Sequence, residues 1–183
     1  MQIEASTGIT EPWLRGPLAG MPPLTMPAAH ALTQSRADIE VHVTTLNVAE
    51  VWSEPAGAPS VGFHLRHIAG SIDRLLAYTL GKQLTDEQFR FLATERIPGE
   101  APPTAGHLIS SAQSKIDEAL QVICSTPDDR LFEPRTVGRA QLPTNVFGLL
   151  FHIAEHTQRH TGQIITTTRI VRGITDGGIY SAQ

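Results

Sequence analysis

The amino-acid sequence predicts an all-α fold: a four-helix bundle with an additional short helix and an irregular N-terminal arm. Two observations carry this reading. Four long segments repeat apolar residues at helical spacing, and no run alternates apolar with polar residues as a half-buried strand does. The length of 183 residues, 40% of them apolar and 17% charged, suits one globular domain with a full hydrophobic core.

Residues 1–24 read as an arm interrupted by Pro12, Pro17, Pro22 and Pro23, which Trp13 and Leu14 should fasten to the domain surface. The bundle domain is expected over 25–173, followed by a C-terminal tail, 174–183. A first helix should run from Pro27, a favoured first helical position, to about Leu46. Ser60 is a good N-cap for a second that ends at Gly81, with Val61, Leu65, Ile68, Ile72, Leu75 and Leu76 on its apolar stripe. Thr85 with Gln88 three residues later forms a capping-box pattern, opening a short helix expected to turn Phe89 and Leu92 inward. Thr104 caps a third long helix closed by Pro127, residues 127–143 read as loop, and Thr144 or Asn145 starts a fourth helix that continues to about Arg172, with Gly173 beyond it.

Composition also excludes functions. A net charge of -4 with scattered signs leaves no basic stripe to neutralise phosphates, so nucleic acid is not an expected partner. No apolar stretch is long enough to span a bilayer, and the N-terminus lacks the basic start and apolar run of a secretory signal. A cytoplasmic protein is expected. The single cysteine, Cys124, rules out an internal disulfide and reads as a small buried residue on a helix.

Histidine stands out. Of eight, His64, His67, His152, His156 and His160 fall in two short clusters. Residues four apart on a helix share a face with roughly 6 Å between their α-carbons, so two imidazoles at that spacing can converge on one ion. His152, His156 and His160 form such a ladder, but its ends are about 12 Å apart, too far for one metal to take all three. Against the stripe of Val146, Leu149, Leu150, Ile153, Thr157 and Ile164, His160 lies near the middle, His156 at the edge and His152 further out. The pair to expect is therefore His156 and His160. On the second helix, the same periodicity places His64 nearer the apolar stripe than His67.

The segments "HIAEHTQRHTGQI" at 152–164 and "SVGFHLRHIAGSIDRLL" at 60–76 resemble the DinB and YfiT-like family of bacterial proteins, over roughly residues 24–173. The resemblance implies a four-helix bundle with a metal held by one histidine of the second helix and two, four apart, of the last. Carried onto this chain, the late pair falls on His156 and His160, and the register of "HIAGSIDRLL" puts the early ligand on His67 rather than His64. Three neutral imidazoles suit Zn²⁺ or Ni²⁺ and leave a coordination position open, as catalytic sites do.

The wider superfamily implies a metal-dependent enzyme, a thiol S-transferase or a hydrolase, that uses a metal-activated thiolate or water on a small-molecule substrate, with a low-molecular-weight thiol as a further cofactor and a homodimer as the assembly. The alternative is a non-catalytic metal-binding or stress-response bundle. Gln163, one heptad beyond His156, could line the opening and touch substrate. Glu155 and Arg159 read as surface groups or as partners of the ligands at best, Asp73 and Arg74 as partners of neighbouring helices, and Arg135 and Arg139 as anion-holding groups if their loop folds over the metal.

Overall fold

The computed structural model describes residues 10–175. The bundle consists of α1 (Met26–Val43), α3 (Val61–Thr79), α5 (Ala105–Ser125) and α6 (Val146–Thr175), with α2 (Val48–Val51) and α4 (Asp86–Thr94) as short connecting helices. Both α1 and α3 pack on α5 and on α6, so α1 and α3 occupy opposite corners. Leu32 and Ile39 of α1, Leu65, Ile68 and Ile72 of α3, Ile116 and Ile123 of α5, and Leu150, Ile153 and Ile164 of α6 are fully buried between them. No helix among the described residues is long and apolar enough to cross a membrane.

The expected caps form. Ser60 Oγ accepts from Phe63 N at 3.1 Å and Thr104 Oγ1 from His107 N at 3.3 Å. Thr85 and Gln88 make the reciprocal capping box, Gln88 N donating to Thr85 Oγ1 at 3.2 Å and Thr85 N to Gln88 Oε1 at 2.9 Å. Each cap side chain satisfies one of the orphan N–H groups that every helix start exposes.

Several expectations are corrected. Helix α1 ends at Val43 rather than near Leu46, because Asn47 and Glu50 form a capping box that opens α2. Residues 127–143 are not all loop: β1 (Pro134–Val137) pairs antiparallel with β2 (Leu142–Asn145), in the register Pro134↔Asn145 and Val137↔Leu142. Strands of four residues carrying Pro134 and Pro143 show no readable alternation. The segment leading into the hairpin supports α6, since Leu131 O accepts from Phe147 N at 2.7 Å and Glu133 O from Val146 N at 3.2 Å. At its other end α6 continues through Gly173 to Thr175, past the expected stop. Residues 1–9 of the arm and 176–183 of the tail lie outside the described residues.

The arm is held differently from expectation. Trp13 and Leu14 are exposed, whereas Pro12 is buried and Gly16 O lies 3.1 Å from His30 Nε2. Cys124 is exposed rather than buried, with Sγ donating to Gly20 O at 3.2 Å. Helix α4 also turns the other way: Phe89 and Leu92 are exposed, while Phe91 is half-buried and Glu95, its C-cap, is buried. Polar pairing selects this face, because Gln88 Nε2 donates to Asp73 Oδ2 at 2.7 Å and Glu95 accepts from α3. A reading based on apolar residues alone follows Phe89 and Leu92 instead.

Candidate metal centre

Packing of α3 on α6 sets the His64/His67 turn of one helix against the His156/His160 turn of the other. One ring nitrogen from each of His67, His156 and His160 lies within 4.8 Å of the other two. The ring centres of His67 and His156 are both 4.6 Å from that of His160, and 5.1 Å from each other. His67 Nε2 and His156 Nε2 approach to 3.0 Å. All three imidazoles are half-buried, so the cluster keeps a face toward solvent.

Each partner of these rings constrains a proton. His67 Nδ1 lies 2.7 Å from Glu95 Oε2, so Nδ1–H donates to the carboxylate and the Nε2 lone pair faces His156. The other carboxylate oxygen, Oε1, accepts from Arg74 Nη1 at 2.7 Å. Glu95 and Arg74 are both buried, which makes this a closed chain from guanidinium to carboxylate to imidazole. Gly70 makes room for it: a Cβ there would stand 2.5 Å from Glu95 Oε1, 2.7 Å from Phe91 Cε1 and 2.8 Å from Arg74 Nη1.

On the other side, His64 is buried and its Nδ1 lies 2.9 Å from His160 Nδ1. With His160 donating, its Nε2 lone pair is left for an ion. His156 Nδ1 is buried without a hydrogen-bond partner, and with the His67 Nε2 lone pair facing it His156 Nε2–H is the donor across the 3.0 Å contact, a proton whose place an ion would take.

Burial, followed by the neighbouring His67 and then Arg96, holds His64 down to a pKa of about 4. Burial holds His156 to about 4, with His67, His152 and Arg159 adding and Glu155 opposing. Burial, then His67, His156 and His64, holds His160 to about 3. These three rings are therefore neutral near pH 7, the protonation state in which imidazole ligates metals.

An ion fits this arrangement. Ligands about 2.0–2.1 Å from a tetrahedral ion stand roughly 3.3 Å apart. The 3.0 Å His67–His156 approach is close to that, and small ring rotations would complete the set. The non-ligating nitrogens of His67 and His160 face Glu95 and His64, the outer support that metal-binding histidines use. The donor set, three imidazoles, suits a divalent cation.

The remaining candidates separate from the cluster. His152 is exposed and its Nδ1 lies 2.6 Å from Glu155 Oε1, while Arg159 Nη2 donates to Glu155 Oε2 at 2.5 Å. Gln163 is exposed on α6, one turn beyond His160. Arg135 does not reach the histidines: its Nε donates to Thr79 O at 2.8 Å, about 18 Å along α3 from His67 at the helical rise. Arg139 sits with Cζ 5.7 Å from the Phe89 ring centre. The hairpin that carries both arginines covers the far end of α3, which removes the anion-holding role over the metal. Sequence reasoning misses two supporting groups. Glu95 follows a short amphipathic helix with no motif to mark it, and His64 stands out in the sequence only as a rival ligand, not as a partner of His160.

The profile of the DinB superfamily matches residues 31–164, and the chain belongs to that superfamily. The matched stretch contains all of α3 and α6 as far as Ile164, and so His64, His67, His156 and His160. Comparison with curated proteins gives no match.

Two outcomes are expected. Glu95→Gln lowers metal affinity about 10- to 100-fold in competition with a chromophoric chelator, the usual effect of losing a ligand's outer partner; unchanged affinity contradicts the geometry. Protein stripped of metal loses melting temperature as pH falls from about 7 to 5, because the unfolded chain takes up protons near 6.5 that folded His64, His156 and His160 do not. A melting curve indifferent to pH in that window contradicts the burial of these rings.

Proposed function

We propose that the protein is a divalent-metal-dependent enzyme of the thiol S-transferase or hydrolase type, with His67, His156 and His160 as the ligands of Zn²⁺ or Ni²⁺. The observation that carries this reading is the convergence of three ring nitrogens, from two helices, within 4.8 Å. Membership of the DinB superfamily supports it. So does the number of ligands, since three leave a position open whereas structural zinc sites are closed by four. A bound ion would lower the pKa of a thiol or a water and so supply the nucleophile.

The protein's own groups do the rest. Glu95 holds His67 in the tautomer that presents Nε2, and His64 would do the same for His160 by accepting from His160 Nδ1–H. Phe63, stacked 5.5 Å from His67 at 26°, forms an apolar wall beside the cluster. Gln163 lies on the same face of α6 as His156, close to two full turns on, and is assigned to contact with substrate. A low-molecular-weight thiol as co-substrate, a homodimer and a cytoplasmic location complete the proposal.

A second reading, a non-catalytic metal-binding or stress-response bundle, is favoured by the buried Arg74–Glu95–His67 chain, which would couple an ion to packing of α3, α4 and α6. It predicts a large loss of melting temperature on chelation and no turnover with any pair of thiol and electrophile.

Elemental analysis of purified protein tests both readings. About one divalent ion per chain is expected in the wild type and in His152→Ala, and a small fraction of that in His160→Ala. Equal metal in wild type and His160→Ala would remove the basis of both.

A further inference from the structure

Four arginines surround the histidine cluster, and three of them are committed. Arg74 Nη1 donates to Glu95 at 2.7 Å, Arg159 Nη2 to Glu155 at 2.5 Å, and Arg66 Nη1 to Ile97 O at 2.5 Å. Arg96 differs. Among the described residues its guanidinium donates no hydrogen bond and forms no ion pair; it lies over Phe63, with Cζ 4.8 Å from the ring centre. That same ring stacks on His67 and stands 5.2 Å from His64. Guanidinium and candidate ligand therefore share one aromatic wall.

The charges favour an anion here. The candidate ligands His67, His156 and His160 are imidazoles, which bring no negative charge to a dication held between them. Glu95, the carboxylate in contact with the cluster, is already paired with Arg74. Arg96 adds a further positive charge, held over the Phe63 ring that also contacts His64 and His67. A guanidinium held over an aromatic face without a hydrogen-bond partner keeps N–H groups available, and its N–H edge matches a carboxylate bidentately.

We propose that Arg96 anchors the carboxylate of a short organic anion whose other end reaches the metal, with Phe63 packing against the carbon skeleton between them. This deepens the function proposed above and rests on it, since the anchor has meaning only beside a metal held by His67, His156 and His160. The substrate class it assigns is a small carboxylic acid bearing a thiol or another metal-binding atom several bonds away. Arg96 is exposed, so its replacement leaves the core untouched.

The test uses the full chain loaded with cobalt(II), whose visible spectrum first reports uptake. The probe is 4-(mercaptomethyl)benzoate, whose rigid ring keeps its two ends from reaching one ion; its neutral methyl ester is the comparison. The sulfur-to-cobalt charge-transfer band measures binding of each. The acid is expected to bind about tenfold or more tightly than the ester, the scale of a charge-assisted bidentate contact. In Arg96→Gln the preference disappears while cobalt uptake is unchanged, and Arg96→Lys retains part of it. Equal binding of acid and ester by the wild type, or a preference that survives in Arg96→Gln, overturns the proposal. Absence of a cobalt spectrum before any thiol is added overturns the metal reading itself, and the anchor with it.

Discussion

Everything at the site depends on the packing of α3 against α6 at the level of two histidine-bearing turns. Burying imidazoles is unfavourable unless their polar nitrogens find partners. Here the partners are other imidazoles and one carboxylate: His64 against His160, His67 against His156, and Glu95 against His67. A contact face built from such groups is a weak adhesive by itself, and the fully buried Leu65, Ile68, Ile72, Ile153 and Ile164 around it supply the apolar burial that holds the helices together. The arrangement places a candidate cation site where purely apolar side chains would have packed more simply.

Helix α4 completes that site from outside the four-helix core. Its role is to deliver Glu95 through the space left by Gly70, where a Cβ would stand 2.5 Å from the carboxylate. Arg74 balances the buried charge, so the carboxylate remains an acceptor for His67 rather than an isolated anion. The hairpin at the opposite end of α3 closes the start of α6 and engages Arg135 far from the histidines. One end of the bundle thus carries the candidate chemistry and the other carries capping.

Much of this is legible in the sequence because it depends on spacing within one helix. The boundaries of α3 and α5, the Thr85/Gln88 capping box and the His156/His160 pair follow from i, i+4 geometry and from single capping residues, whereas the Asn47/Glu50 box that ends α1 is missed. Periodicity places His64 nearer the apolar stripe and family register points to His67; the structure buries His64 deeper, behind His160, and brings His67 to the cluster, so depth of burial is not what selects the candidate ligand. Glu95 is invisible because its importance lies in contacts with residues 21 and 28 positions away in sequence. The inward face of α4 is misread for the same reason: Gln88 and Glu95 are drawn in by polar partners, leaving Phe89 and Leu92 outside. The short hairpin escapes because four-residue strands carrying proline leave no pattern to read.

Crystals grown with zinc, measured on both sides of its absorption edge, address the central claim most directly. An anomalous peak between α3 and α6, roughly 2.0–2.1 Å from one nitrogen of each of His67, His156 and His160, is the predicted result. A map without a peak there, or with one only beside His152 and Glu155 on the outer face of α6, would contradict it.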